Sequence, residues 1–282
     1  MSTSEIPFFF DCQGASLLAV ASVPAQPKPL GVVIVVGGPQ YRVGSHRQFL
    51  LLARSLAEKG YACLRFDYRG MGDSDGPRVG FEAIGADIAA AIDGLQRNAP
   101  SVTSVVLWGL CDGAAAAALG ANGDRRVRGL ALFNPWVRTD EVAAQARLKS
   151  YYVSRVLSRA FWKKLLSGKL GYTSSFRSFA DNVRRATSRS AAPAPSGTLP
   201  ERVGIALRDS RVPVLLGLSK RDAVAAEFRL VSSRPGPLDE FRRQDRTTEI
   251  EFEADHTFSC KAWRDAAADA TLDWISREFG MA

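Results

Sequence analysis

Histidine is nearly absent from this sequence: 282 residues contain only His46 and His256. Any chemistry that needs an imidazole base or metal ligand must draw on one of these two. Cysteine is also sparse. Cys12, Cys63, Cys111 and Cys260 stand far apart without C-x-x-C spacing, which argues against a disulfide framework and a structural zinc site. A reducing cytoplasm is the simpler expectation. No apolar run approaches the ~20 residues that span a bilayer. The apolar stretch Ile6-Pro7-Phe8-Phe9-Phe10 is preceded by Glu5 and stopped by Asp11. It lacks a basic n-region and an extended apolar core, so it does not read as a secretory signal. No internal repeat is visible.

The chain has an ordinary globular composition, 46% hydrophobic and 23% charged, and enough length for one large core with an inserted subdomain. Its net charge of +8 is regional. Between Glu141 and Arg211 there are fourteen Lys/Arg against four Asp/Glu, while the remainder is close to neutral.

Gly31–Val36, Tyr61–Phe66, Val127–Phe133, Val212–Leu218 and Thr247–Phe252 read as strands, most of them continuous apolar runs. Between them, Phe49–Gly60, Phe81–Asn98 and Ala262–Phe279 read as helices. Alternation of buried strands with helices predicts a mostly parallel, doubly wound sheet.

One segment carries the chemistry. Val102–Trp108 is β-branched and apolar, Ala114–Ala118 is a run of the best helix former, and Gly109-Leu110-Cys111-Asp112-Gly113 joins them. A strand entering a helix through so short a G-x-C-x-G turn forces a strained backbone at Cys111 and points its sulfur out of the sheet. The helix N-terminus beside it is expected to favour the thiolate.

A thiol nucleophile needs a base, and the base needs an orienting acid. His256, just after the last strand, is the expected base; His46, in the loop after the first buried strand, is the alternative and reads as a loop or substrate contact. Asp222, following the strand that ends at Leu218, is the expected acid, ahead of Asp209 and Asp255. Cys111, Asp222 and His256 would then all stand at C-terminal strand ends, where functional groups converge in an open parallel sheet. Oxyanion donors would come from the Asp112 amide and from the Gly37-Gly38-Pro39-Gln40 loop. Pro39 has no N–H, which leaves Gln40, through its backbone or side-chain amide. Gly38, His46 and Trp136 are the expected substrate contacts. Arg65, Asp67 and Arg69 are expected to tie their own loop together.

With the Gly37-Gly38 loop, Arg65-x-Asp67-x-Arg69-Gly70-x-Gly72-x-Ser74, the elbow, Asp222 and His256, the chain resembles the α/β-hydrolase superfamily over nearly its whole length. The order nucleophile, acid, histidine is that of this fold. Elbow cysteines also occur in dienelactone hydrolases and polyhydroxyalkanoate synthases. Val36–Arg47 and the segment from Tyr151-Tyr152 through Phe161–Gly168 resemble the exosortase A system-associated hydrolase, type 1. The resemblance implies a hydrolase fold with a helical insertion and a Cys-His-Asp triad, encoded beside exopolysaccharide and protein-sorting genes; it names no substrate.

The expected layout is a hydrolase core at 1–136 and 212–282 with a basic helical cap at 137–211, its stretch from Thr187 to Pro200 a loop. Such a cap is a solvated surface, a contact for an anionic membrane, or an attractor of an acidic acyl carrier protein or coenzyme A. Nucleic acid is not expected, since no stacking platform accompanies the charge. The expected chemistry is hydrolysis of a small-molecule ester or thioester through an acyl-Cys111 intermediate, without metal or cofactor. Acyl transfer by the same cysteine is the near alternative, and a non-catalytic binding protein of this fold the more distant one.

Overall fold

The computed structural model describes residues 2–38, 40–138 and 197–280. The chain divides into two units, residues 1–139 with 197–282, and residues 140–196; every element named below belongs to the first. Most of the expected cap therefore lies outside the described residues. Its last part does not. Residues 199–209 form a helix whose Val203 and Leu207 are fully buried in the sheet-bearing unit, so the segment leaves the expected insertion because its apolar face belongs to the core.

Eight strands form one sheet: β1 (Thr3–Cys12), β2 (Ala15–Pro24), β3 (Leu30–Val35), β4 (Cys63–Phe66), β5 (Ser104–Leu110), β6 (Val127–Phe133), β7 (Val214–Arg221) and β8 (Thr247–Asp255). Their order is β1-β2-β4-β3-β5-β6-β7-β8. The pairs from β4–β3 through β7–β8 are parallel, while β1–β2 and β2–β4 are antiparallel. The expected fold is thus the observed one, an α/β-hydrolase fold, with an antiparallel hairpin added at one edge.

That hairpin turns through Gln13 and Gly14, both at positive φ (54° and 80°), the conformation that matches a two-residue turn to strand twist. Pro7 is tolerated in β1 because β1 is an edge strand. At the opposite edge β8 exposes Glu249, Glu251 and Glu253 in alternation, a charge pattern that discourages pairing with another chain.

The helices are α1 (Gln48–Glu58), α2 (Gly85–Asn98), α3 (Asp112–Gly120), α4 (Leu199–Asp209), α5 (Ala223–Ser232), α6 (Pro237–Arg242) and α7 (Lys261–Phe279). The helix expected from Phe81 is broken: a single 3-10 turn covers Phe81–Ala83, and α2 starts at Gly85. Two cores form, one on each face of the sheet. One gathers α2 through α6, including Ile88, Ala114–Ala118, Leu207 and Phe228. The other gathers α1 and α7 with Phe49, Trp108, Phe133, Phe258 and Trp274.

The arginine loop is tied differently from expectation. Asp67 accepts from the Arg42 amide at 2.8 Å and from the Asp73 amide at 3.1 Å, and Ser74 Oγ donates to the Asp67 carbonyl at 2.6 Å. Arg65 instead reaches Glu5 on β1 at 2.6 Å, and Arg69 grips Asp87 on α2. Each guanidinium is long enough to leave its own loop and neutralise a carboxylate on a neighbouring element.

Candidate active site

The C-terminal ends of β5, β7 and β8 carry Cys111, Asp222 and His256. Register aligns them: Leu110 pairs with Phe133, Phe133 with Gly217, and Arg221 with Asp255. Cys111 follows β5 and precedes α3 with φ 61° and ψ −126°, a strained conformation for a residue with a Cβ. The strain is held by its surroundings. The Cys111 amide donates to the Phe133 carbonyl at 2.9 Å, and the Cys111 carbonyl accepts from Trp136 at 3.1 Å and Ala114 at 3.1 Å. No side chain fits beneath the turn. A Cβ on Gly109 would lie 2.6 Å from the Ala114 nitrogen, and one on Gly113 would lie 2.9 Å from the Gly37 nitrogen. Helix, strand and loop meet backbone to backbone.

Asp222 is the N-cap of α5. Its Oδ1 accepts from Val224 N–H at 3.0 Å and its Oδ2 from Ala225 N–H at 3.4 Å, while Oδ2 also lies 2.8 Å from His256 Nδ1. The carboxylate is thereby fixed by a helix before it fixes the imidazole, and the bond assigns the proton to Nδ1, leaving Nε2 as the basic nitrogen. Burial pushes His256 down, but the hydrogen bond and charge of Asp222, with Asp112 and Asp255 behind them, outweigh it and leave the imidazole above its ordinary value. Asp255 turns away and braces the loop, accepting from Thr257 N–H at 3.2 Å and Ser259 N–H at 3.0 Å. Phe258, only 2% exposed, packs edge-on against Phe133 and Phe252, anchoring the histidine loop to the core.

Cys111 departs from expectation in its ionisation. Burial comes first and the Asp112 charge second, with Asp222 and Glu227 adding to them, and together they push the thiol well above its ordinary value. The helix N-terminus does not prevail, because desolvation and a carboxylate on the next residue oppose the thiolate more strongly than the amides favour it. Asp112 and Asp222 both act on the Cys111 sulfur, and both act on His256. Cys111 and His256 therefore share one electrostatic neighbourhood.

Of the loop expected to supply the second oxyanion donor, Pro39 lies outside the described residues. Gly37 meets the elbow at Gly113, and the Gly38 amide stands beside the Asp112 carboxylate and favours its charged form. Gln40 Oε1 is buried and makes no hydrogen bond to the described residues. His46 adopts a left-handed conformation at φ 54°. Trp136 is held beside Cys111 by its own amide, with the Arg138 guanidinium 5.4 Å from its ring centroid. Among the described residues no group of three or more His, Cys, Asp or Glu is gathered in a way that could hold a metal ion, and no helix is long and apolar enough to cross a membrane.

A family model described as serine aminopeptidase, S33, matches residues 27–227, which takes in the elbow and Asp222. The chain belongs to that family. It is an α/β-hydrolase enzyme, and this S33 member places a cysteine, Cys111, at its elbow. None of the curated proteins matches the sequence. Among solved structures, the esterase Pf2001 of Pyrococcus furiosus superposes with a TM-score of 0.72 at 16% identity, over 99% of this chain and 92% of that one. The α/β-hydrolase GrgF of Penicillium sp. gives 0.65 at 18% identity, over all of both chains. The ferulic acid complex of Est1E from Butyrivibrio proteoclasticus gives 0.63 at 18% identity, over 97% and 100%. These likenesses establish the fold of this S33 member.

Proposed function

We propose that this protein hydrolyses small-molecule esters or thioesters through a covalent thioester on Cys111. The observation that carries the reading is the 2.8 Å contact between Asp222 Oδ2 and His256 Nδ1, made past the C-terminal ends of β7 and β8, at the same edge of the sheet as the elbow after β5. The Pf2001 fold, named an esterase, and the Est1E fold with its ferulic acid are consistent with an ester substrate.

Because the Cys111 thiol is neutral at rest, attack must be coupled to deprotonation. His256 Nε2 takes the thiol proton as Sγ bonds to the acyl carbon, and the carbonyl electron pair moves to oxygen, where the Asp112 amide stabilises it. Collapse breaks the bond to the leaving group, which receives the proton from His256. Water, deprotonated by the same nitrogen, then attacks the thioester and releases the acid and the thiol. A thioester also accepts amines and alcohols, so an acceptor other than water is the second reading. The resemblance to the exosortase-associated hydrolases at Val36–Arg47 supports a role in an exopolysaccharide- and exosortase-associated pathway and names no acceptor.

The test is intact-mass spectrometry after brief exposure to a panel of acyl p-nitrophenyl esters and acyl thioesters. One acyl adduct, mapped to Cys111, is expected. Adducts elsewhere, or none with any acyl donor, would overturn the reading. Including alcohols and amines separates hydrolysis from transfer by whether they divert the acyl group from water.

The histidine makes a second, sharper expectation. Activity requires neutral His256, so kcat/KM should rise with pH through a limb lying above 6.5, since the imidazole is raised from that value. Asp222→Asn keeps an oxygen for the Val224 cap but removes the charge that raises His256. Its acid limb should move to lower pH while the plateau falls by about 10²–10⁴. A merely structural loss would lower the rate at every pH without moving the limb.

A further inference from the structure

The Asp112 side chain has no part in the mechanism above, yet the elbow is built around it. It stands in the first turn of α3, next to the nucleophile. A Cβ on Gly38 would lie 3.8 Å from each of its two oxygens, so the carboxylate faces the Gly37-Gly38 loop squarely. Gly37 has no room for a Cβ, because Asp112 Oδ1 and the Gly113 nitrogen occupy the space. The Gly113 amide donates to the carboxylate at 3.1 Å, and the Gly38 and Asp112 amides stand close enough to favour its charged form. The Asp112 amide is the one assigned to the oxyanion above, and Gly38 belongs to the loop expected to supply the second donor.

We propose that the Asp112 carboxylate is the resting occupant of the oxyanion cradle, a positioning residue that clasps the glycine loop to the elbow and keeps Cys111 a thiol until a substrate carbonyl takes over the amides. The proposal rests on Cys111 being the nucleophile. An internal anion satisfies donors that would otherwise point into a dry site without a partner. It also opposes a second negative charge on the adjacent sulfur, so the thiolate forms only when His256 receives its proton during attack. The site is thereby closed to small electrophiles and oxidants that react with free thiolate.

The groups acting on this carboxylate and thiol come from four directions. Tyr68, after β4, is buried and pushed up first by that burial and then by Asp112. Burial raises the Asp112 carboxyl above its ordinary value, and the neighbouring amides and then His256, after β8, oppose that rise. Asp222, at the start of α5, and Glu227, within α5 and 3.9 Å from Arg138, both oppose the Cys111 thiolate. Asp222 is matched by His256 and Glu227 by Arg138, whereas the Asp112 carboxylate is held by backbone amides. It is therefore the charge whose removal most changes the sulfur.

The experiment is iodoacetamide alkylation of Cys111 as a function of pH on the full chain, read by mass spectrometry of the Cys111 peptide because the exposed Cys260 is alkylated too, with Asp112→Ala beside the wild type and with thermal melting to confirm folding. Wild type should alkylate with a midpoint above 9. Asp112→Ala should lower that midpoint by at least about one unit, which is about tenfold in rate at neutral pH. Sodium formate, small enough to fill the space vacated by the side chain, should restore the wild-type profile, whereas the same ionic strength of sodium chloride should not. An unchanged midpoint in Asp112→Ala would overturn the proposal. So would a lowered midpoint that formate leaves alone, because the carboxylate would then act by charge without occupying the cradle. Should the variant melt, Asp112→Asn, which retains an acceptor for Gly38, gives the same midpoint reading. Alkylation needs no substrate, so a failure of the acyl-enzyme reading appears separately, as absent acyl adducts.

Discussion

Cys111→Ala should lower kcat/KM on a p-nitrophenyl ester by about 10⁴-fold or more and abolish the acyl adduct. The size follows from the division of labour at the elbow. The amides and the pocket still bind and polarise a carbonyl in the variant, but no atom remains to form the covalent intermediate. His256→Ala should lose a comparable amount, because the thiol, opposed by Asp112, depends on that base for its proton transfer. The double variant should be scarcely worse than either single one, as groups that act as a unit do not add. Steady-state rates of the three variants, with the adduct measured in parallel, check this. Retained turnover in Cys111→Ala would remove the cysteine from the mechanism, and strict additivity would separate His256 from it.

The second large effect is on stability, at the grip between Arg69 and Asp87. Asp87 is fully buried at the start of α2 and accepts from Arg69 N–H at 2.9 Å, Nε at 3.0 and 3.1 Å, and Nη2 at 2.8 Å. Arg69 itself is 8% exposed. Asp87→Ala leaves a buried guanidinium and a buried amide without their acceptor, so the loss should be about 3–5 kcal/mol. For a chain of this size that is about 10 °C or more in melting temperature. Replacing both partners, with Arg69→Met and Asp87→Leu, should recover much of it, since no stranded charge remains. Urea denaturation of the wild type and the two variants tests the sign and order. A single variant no less stable than the double one would mean that Arg69 finds another partner.

The parallel strands were readable because they are buried on both faces and so appear as unbroken apolar runs, as Gly31–Val36 does. The β1–β2 hairpin was not. Phe8, Phe9 and Phe10 follow one another, and β2 alternates Leu and Ala with residues hardly more polar, so the period of two that marks a strand is blurred. Helix α4 does carry a signature, a capping box from Thr198 to Glu201 with a proline in its first turn, but the Ala-, Ser- and Pro-rich stretch before it hides that start. Helix α5 opens on Asp222, and a residue read only as an acid conceals its second duty as an N-cap. Chain order brought Cys111, Asp222 and His256 into view as a set, because three strand ends of a parallel sheet converge. The side chain of Asp112 stayed out of view for a physical reason: a sequence pattern says that residue follows the nucleophile, and nothing in it says which way the carboxylate faces. The signal was the missing Cβ at Gly37, and it acquires meaning only when the facing atoms are known.

The backbone contacts among Gly37, Gly109 and Gly113 also bear on how this protein can change over time. Three chain segments touch there almost backbone to backbone, with only the Asp112 carboxylate set between them, so those positions admit almost no variation. Strand ends, elbow and cradle are inherited together as one rigid block. Novelty must enter at the residues that block leaves accessible, Trp136 among them, and a mutational library confined to such positions should yield altered selectivity at far lower cost in folded protein than one aimed at the turn itself.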